Sequence, residues 1–260
     1  MKKFDELVEI MQKLRSPGGC PWDLEQDHQS IKPYLLEEAH EVIEAIEDGD
    51  DAAFKEELGD LLLQVVFHAQ LGAERKAFSI EDVVAGINQK MIRRHPHVFG
   101  NLDGVDTPQK VLRNWEAIKQ EQEGKQSIIG GVPKALPALQ RAWRIGEKAS
   151  RAGFDWDDAQ GVLAKVEEEL QELVDEQKSG GSHERLEEEF GDFLFSLVSL
   201  ARFLKVEPES ALRRAIDKFS CRFGKIEDKL RQAGQKMKDK SLAELEEMWQ
   251  EAKRQSPPTR

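Results

Sequence analysis

The sequence has few cysteines and no long apolar run. Cys20 and Cys221 are the two cysteines in 260 residues, and they form no CxxC pair. This usage excludes a disulfide scaffold and predicts a reducing compartment. No apolar stretch approaches the roughly 20 residues of a membrane-spanning helix. The N-terminal residues continue into an amphipathic pattern and not into a signal peptide. We therefore expect a cytoplasmic protein without a membrane partner.

Positive charge is also scarce. The chain has 38 Lys and Arg residues against 50 Asp and Glu, so its net charge is −12. Because proteins neutralise nucleic-acid backbones with surplus Lys and Arg, this balance argues against a nucleic-acid partner. Alternating runs of β-branched residues are lacking as well, and proline is sparse, with 10 residues. The pattern predicts an all-α protein.

The stretch from Glu187 to Leu200 would be apolar on almost every side of a helix. Such a helix belongs in a core, where carboxylates are rare unless they are paired or bound to metal. A helix over residues 166–174 would place two more acids at the edge of its apolar face, and packing of the two helices would bring four acids onto one seam. The polar strip of the first helix consists of Glu189, Asp192, Ser196 and Ser199. The predicted metal ligands are Glu169, Glu172, Glu189 and Asp192.

Such a seam needs a counter-ion. Two like charges 4 Å apart repel by about 4 kcal/mol at an effective dielectric constant of 20, and four charges repel by several times more. Hard divalent cations with oxygen ligands, Mg²⁺ or Mn²⁺, relieve this repulsion. The alternative is a solvated acidic helix surface, which is the usual environment of a single Glu.

The first half of the chain repeats the pattern. A second apolar helix, over residues 56–68, again has one polar strip, and an ExxE pair again precedes an ExxD pair. The strip consists of Glu57, Asp60, Gln64 and His68. The second, weaker candidate metal site is Glu38, Glu41, Glu57 and Asp60. Two further pairs recur in the same order, Lys90 and Arg94 with Lys218 and Arg222, and Trp115 and Lys119 with Trp249 and Lys253.

Four paired signals in one order indicate two copies of a helical module. We predict a first module over residues 1–122, a linker over 123–136, a second module over 137–254 and a tail over 255–260. The apolar helices need cover on every side, and a homodimer would provide it.

Basic and aromatic residues near the second set of acids suit a triphosphate ligand. Lys165 and Arg185 each precede a predicted metal ligand by one helical turn. Lys218 and Arg222 lie four residues apart, where a shared triphosphate would turn their mutual repulsion into attraction. A solvated basic face is the alternative for this pair. Trp249 is a candidate to stack on a base or, as the alternative, to lie partly in the core.

Three motifs together resemble the MazG family of nucleoside triphosphate pyrophosphohydrolases. They are GGCPWD at 18–23, the doubled acidic pattern, and RRHPHVF at 93–99. The resemblance covers nearly the whole chain and implies an all-α enzyme related to the helical dUTPases, with a four-helix-bundle core completed by dimerisation. It implies Mg²⁺ on the acids, nucleoside triphosphates as substrates, pyrophosphate and a nucleoside monophosphate as products, and a role in nucleotide-pool housecleaning or stress-related nucleotide control. The candidate nucleotide-binding residues are Lys165, Glu168, Arg185, Glu188, Lys218, Arg222, Trp249 and Lys253.

Other functions fit less well. A di-iron bundle needs an ExxH motif in each half; Glu37 and His40 supply one in the first, but the second has Glu168 and Gln171 at the corresponding positions. No GxxxxGK[ST] loop or nucleophile triad is present. A non-catalytic nucleotide sensor stays open, as do the preferred base and sugar. Since Tyr34 and Ala53 stand where Lys165 and Arg185 stand in the other copy, we expect the second module to be the main catalytic one.

Overall fold

The computed structural model describes residues 2–108, 110–112, 114–115, 118 and 127–255. The chain forms two compact units, 1–121 and 122–260, which correspond to the first and second modules. The described residues are largely helical and contain no strand, so the predicted all-α fold with two repeated modules is confirmed. None of the described helices is long and apolar enough to cross a membrane. Residues 123–126 of the predicted linker, 256–260 of the tail, and Lys119 lie outside the described residues.

The first module begins with a helix that leads, through the short helix in GGCPWD, to a long helical hairpin. The hairpin helices α3 and α4 pack against each other, and α4 also contacts α1 and α5. The helices are α1 (Lys2–Leu14), α2 (Pro21–Glu25), α3 (Lys32–Asp48), α4 (Asp51–Glu74), α5 (Ile80–Arg94) and α6 (Pro96–Phe99).

Capping residues set these boundaries. Gly49 adopts a left-handed φ of 69° and ends α3, a conformation that glycine takes without steric cost. Asp50 then accepts hydrogen bonds from two backbone amides at the start of α4, and Ser79 forms a capping box with Asp82 at the start of α5. Local capping side chains at Asp50 and Ser79 thus fix the starts of α4 and α5.

The second module repeats this order. Its hairpin helices α8 and α9 pack together, α7 contacts α9 and α10, and α10 contacts α11. Asp158, Ser182 and Glu207 cap the starts of α8, α9 and α10. The helices are α7 (Ala138–Arg151), α8 (Ala159–Ser179), α9 (His183–Phe203), α10 (Pro208–Gln232) and α11 (Leu242–Gln255), with a 3-10 turn at Met237–Asp239.

The orientation of α9 differs from what its composition suggests. We expected its apolar sides to be buried, yet Phe190 is 51% exposed. Within the chain, α9 instead turns its polar strip inward, since Ser196 and Ser199 are buried. The reason is that α7 and α8 cover one side of α9, and the acids of α8 lie on that side.

The first module shows the same arrangement. On α4, Gln64 of the polar strip is buried, whereas Leu58 and Leu62 are exposed. Its core lies between α1, α4 and the residue before α3, where Met11, Ile31, Val66 and Phe67 are among the buried side chains. In both modules the contact between the hairpin helices is therefore partly polar, and this contact contains the acids.

Candidate functional site

The second module brings three carboxylates together where α8 packs against α9. Glu169 comes from α8, and Glu189 and Asp192 come from α9. One carboxylate oxygen of each residue lies within 4.8 Å of the others. Glu169 is buried, with 7% exposed, whereas Asp192 is exposed. These three residues, the C-terminal acidic cluster, thus start in the helix interface and reach solvent.

The sequence of α9 explains this position. Residues three apart share one helix face, so Glu189 and Asp192 lie on the face that continues into two buried serines. The Ser196 hydroxyl donates to the carbonyl of Phe193 at 2.8 Å, and Ser199 bonds its own helix in the same way. The buried hydroxyls are therefore satisfied within α9, which lets a polar strip face α8 at little cost.

Two basic side chains are paired with this cluster. Lys165 Nζ lies 2.7 Å from Glu169 Oε1, and Arg185 Nη2 lies 2.9 Å from Glu189 Oε1. Each cation also contacts an exposed neighbouring acid, Glu168 at 2.9 Å for Lys165 and Glu188 at 2.7 Å for Arg185. The predicted one-turn spacing places both cations directly on the acids.

These contacts keep Lys165 charged. Hydrogen bonds to Glu169 and then to Glu168 raise the pKa of the Lys165 ammonium. A protonated Lys165 and Arg185 offset part of the charge of the C-terminal acidic cluster and present donors suited to phosphate oxygens.

Glu172 lies apart from the cluster. It is on α8, three residues beyond Glu169, and its side chain is exposed. The structure thus brings three of the four predicted ligands together and leaves the fourth on the solvent side of α8. A role for Glu172 as a ligand stays a prediction.

The remaining candidates meet where α10 packs against α11. The Arg222 guanidinium lies over the Trp249 ring, 5.8 Å from its centroid, and the Phe219 ring lies 5.0 Å from the same indole. Lys218 and Lys253 are exposed on these helices. Among the described residues, no hydrogen bond, ion pair or ring contact joins this group to the C-terminal acidic cluster.

The first module has its own cluster. Oxygen atoms of Glu38 and Glu41 on α3 and Glu57 on α4 lie within 4.8 Å of one another, and these three residues form the N-terminal acidic cluster. Burial, followed by repulsion from Asp60 and Glu41, raises the pKa of Glu38. Burial, followed by repulsion from Glu41 and Asp60, raises the pKa of Glu57. The fourth predicted acid thus lies close enough to act on both.

The two clusters differ in their counter-ions. Tyr34 and Ala53 occupy the positions that correspond to Lys165 and Arg185. Within the part of the chain that the structure describes, no Lys or Arg forms an ion pair with the N-terminal acidic cluster. A neutral donor is present in Gln64, whose Nε2 lies 3.4 Å from Glu38 Oε1. The raised pKa values of Glu38 and Glu57 follow first from burial and then from repulsion between the acids, which no ion-paired Lys or Arg of the described residues offsets.

Two side-chain contacts of the polar strip on α4 were not predicted from the sequence. The pattern placed Gln64 on the polar strip of α4, but its contact with Glu38 depends on how α3 and α4 pair. His28, which contacts His68 on the same strip, lies before α3 and gave no spacing signal. Contacts between side chains of two different elements depend on how the elements pack, and the sequence of each element alone does not give this packing.

The sequence is similar to known proteins over most of its length. The MazG nucleotide pyrophosphohydrolase domain matches the sequence twice, at residues 26–99 and 158–226. Each matched region contains one complete set of four acids, whereas Trp249 and Lys253 lie beyond the second region.

Two relatives match over nearly their full length. The Thermotoga maritima protein named nucleoside triphosphate pyrophosphohydrolase/pyrophosphatase MazG is 53% identical over 252 residues, which is 96% of this chain and 95% of the relative. The nucleoside triphosphate pyrophosphohydrolase of Escherichia coli K12 is 44% identical over 262 residues, 98% of each chain.

Proposed function

This chain belongs to the MazG nucleotide pyrophosphohydrolase family, and from that premise we propose that it hydrolyses ribo- and deoxyribonucleoside triphosphates to monophosphate and pyrophosphate with Mg²⁺ or Mn²⁺. The C-terminal acidic cluster carries this proposal, because it joins a buried carboxylate to two others within 4.8 Å. The corresponding cellular role is nucleotide-pool housecleaning or stress-related control of nucleotides.

The donor set of the cluster fits a hard divalent cation. Glu169, Glu189 and Asp192 offer carboxylate oxygens alone, which Mg²⁺ and Mn²⁺ prefer. Such a cation, when bound, supplies a Lewis acid that lowers the pKa of water and offsets charge on phosphoryl oxygens. Glu169 is only 7% exposed, and burying a charged carboxylate to this extent is costly unless a nearby positive charge, such as the cation, compensates it.

Lys165 and Arg185 provide the phosphate contacts in this proposal. Both are now paired with acids that would otherwise repel a polyanion. A triphosphate that brings its own cation would let the two basic side chains exchange carboxylate for phosphate oxygens. Glu168 and Glu188 hold the second donors of the same two side chains and keep them extended toward the cluster.

We assign binding of the nucleobase and of phosphate to side chains on α10 and α11. They are Lys218, Arg222, Trp249 and Lys253. Trp249 offers an aromatic face, and Arg222 already lies over that ring, so the indole can stack on a nucleobase while the guanidinium reaches phosphate. Lys218 and Lys253 are exposed at this location and add positive charge. In the proposed reaction a water oxygen bonds to the α-phosphorus, the bond to the α–β bridging oxygen breaks, and pyrophosphate leaves.

A homodimer completes the proposed enzyme. Phe190, Leu194 and Leu197 lie along one side of α9 and are 51%, 40% and 38% exposed. Their spacing of four and three residues makes a continuous apolar stripe. Leu58 and Leu62 on α4 are exposed in the same way. Covering these stripes with a second copy of the chain removes apolar surface from water.

Product analysis tests the proposed function. We expect the purified chain with Mg²⁺ to convert dTTP or GTP to equal amounts of monophosphate and pyrophosphate, without added phosphatase. Asp192→Asn should remove this activity, while Glu167→Gln, an exposed acid on α8 outside the cluster, should retain it. Diphosphate and orthophosphate as products would contradict the proposal. Nucleotide binding without turnover would instead favour the non-catalytic sensor.

A further inference from the structure

Two histidines of the first module face each other outside both acidic clusters. His28 lies in the segment between α2 and α3, and His68 lies on α4. Their Nδ1 atoms are 2.9 Å apart. The two rings are within 8° of parallel, and their centroids are 5.2 Å apart.

This geometry is a hydrogen bond between rings in one plane. Stacked rings with nitrogens 2.9 Å apart would have centroids at a similar distance. The 5.2 Å separation of the centroids instead equals the 2.9 Å contact plus one ring radius on each side, so the nitrogens point at each other. A metal ion does not fit between nitrogens that face each other at this distance, because each metal–nitrogen bond alone takes about 2 Å.

One imidazole must therefore donate and the other must accept. If His28 Nδ1–H donates, His68 accepts through Nδ1 and has its own proton on Nε2. The structure favours this assignment, because His68 Nε2 and Gln64 Oε1 are both buried without a hydrogen-bond partner. They belong to residues four apart on α4, which are neighbours on one helix face. A donor at His68 Nε2 matches the acceptor at Gln64 Oε1.

We call His28, His68, Gln64 and Glu38, in this order, the row, and the side-chain amide of Gln64 is its third member. Its Nε2 lies 3.4 Å from Glu38 Oε1 in the N-terminal acidic cluster. Gln64 Nε2 thus has a neighbour in Glu38, whereas Gln64 Oε1 and His68 Nε2 form no hydrogen bond in the structure. A proton on His68 Nε2 would suit the unpaired Gln64 Oε1, whereas the opposite tautomer would offer that oxygen a second acceptor.

We propose that the two imidazoles share a single proton, and that the row they begin runs through Gln64 to the N-terminal acidic cluster. The shared proton holds the segment before α3 against α4. Protonation of His68 Nδ1 as well would turn the acceptor nitrogen into a donor, give the His68 ring a positive charge and set two N–H groups against each other, so it breaks the row. The pair is thus a pH-sensitive latch, and His68 and Gln64 are positioning residues for the acids.

The surroundings of the pair allow this behaviour. Among the described residues, the charged groups around His28 are Arg15 just after α1, Asp27 before α3, and Glu74 and Arg75 at the end of α4, while Glu38 on α3 lies beyond Gln64. Arg15 and Glu74 are paired at 2.7 Å, and the Asp27 carboxylate accepts from backbone amides. Burial and then repulsion from His28 lower the pKa of His68. Among the described residues, His28 is the one charged group that shifts it.

The sign of the pH effect follows. A histidine whose pKa is lower in the folded state binds fewer protons folded than unfolded. Its contribution to stability is complete above its ordinary pKa of 6.5 and is lost as the pH falls from there toward the folded-state value. The latch is therefore closed at neutral pH and opens in mild acid.

Imidazole ¹⁵N NMR of the labelled full-length chain tests the proposal directly. At pH 8 we expect His28 to be protonated on Nδ1 and His68 on Nε2 alone. On acidification the pair should take up its two protons in steps more than about one pH unit apart. A proton on His68 Nδ1 at pH 8, or two steps that coincide, would overturn the shared proton. Variants His28→Asn and His68→Gln assign the signals.

A stability profile gives a second readout. His68→Gln keeps a side-chain amide that can continue the row but cannot titrate, so its unfolding temperature should fall less than that of the wild type between pH 7 and pH 5. The control is His183→Gln, an exposed histidine of the second module, which should leave the profile unchanged. Parallel profiles for the wild type and His68→Gln would refute the latch.

Discussion

Lys165 Nζ lies 2.7 Å from Glu169 Oε1, one helical turn before the buried carboxylate of the C-terminal acidic cluster. The corresponding position before Glu38 in the first module is Tyr34. The two clusters have the corresponding acids Glu38 and Glu169 in common, and they thus differ in the cation beside this acid. Because a triphosphate needs donors as well as a metal ion, we expect nucleotide hydrolysis at the C-terminal acidic cluster.

Removing the ammonium should weaken substrate use. A charge-assisted contact is worth about 1.5–3 kcal/mol, so Lys165→Met should lower kcat/KM for a nucleoside triphosphate about 10- to 100-fold. Lys178→Met, at the exposed end of the same helix, serves as the control. Steady-state kinetics with equal kcat/KM for the two variants would exclude a phosphate contact at Lys165.

Activity should depend on a divalent cation. The C-terminal acidic cluster has three acids and two paired cations, so an incoming triphosphate meets carboxylates unless a metal ion screens them. We expect excess EDTA to stop pyrophosphate release and Mg²⁺ or Mn²⁺ to restore it. Undiminished turnover in EDTA would show that the acids act without a metal.

The N-terminal acidic cluster should destabilise the metal-free chain near neutral pH. Burial, then repulsion from Glu41 and Asp60, raises the pKa of Glu57. An acid with a raised pKa in the folded state favours folding below its ordinary value of 4.5, and this contribution is lost as the pH rises through the folded-state pKa.

Glu57→Gln should therefore raise the unfolding temperature in EDTA at pH 7.5, and the gain should disappear near pH 4.5. Glu44→Gln, an exposed acid on α3, should change neither value. Calorimetry that finds Glu57→Gln destabilised at pH 7.5 would show that the charge of this acid is already compensated.

The chain should be a dimer in solution. Light scattering at micromolar concentration should give twice the 29.6 kDa mass of one chain. Leu194→Lys, in the exposed apolar stripe of α9, should shift the mass toward one chain, because a buried ammonium is costly. Leu242→Lys, at an 83% exposed position on α11, should not. A wild-type mass of one chain would exclude the dimer.

Periodicity and repeats were sufficient to predict the helices and the two modules. Helix starts such as Ser79 followed from local capping chemistry, which depends on residues close in sequence. The sequence did not predict which side of α9 faces the rest of its own chain. An apolar helix face indicates that it will be buried, but not whether the same chain or another chain covers it. Phe190 is apolar and still exposed within its own chain.

The candidate site was predictable to the level of helix faces. The one-turn spacing of Lys165 to Glu169 and of Arg185 to Glu189 anticipated ion pairs that form within a single helix. The exposure of Glu172 depends on the angle at which α8 and α9 pack, and spacing along one helix does not report it. For the same reason, no pattern in the sequence linked His28 to α4.

We expect the second module to perform the chemistry, and a matched pair of ligand variants tests this assignment most directly. Glu189→Gln and Glu57→Gln remove corresponding carboxylates from the two acidic clusters, and circular dichroism checks the folding of each. With Mg²⁺ and a nucleoside triphosphate, we expect Glu189→Gln to lose at least about 100-fold in pyrophosphate release, while Glu57→Gln keeps most of it. A larger loss in Glu57→Gln than in Glu189→Gln would contradict the assignment.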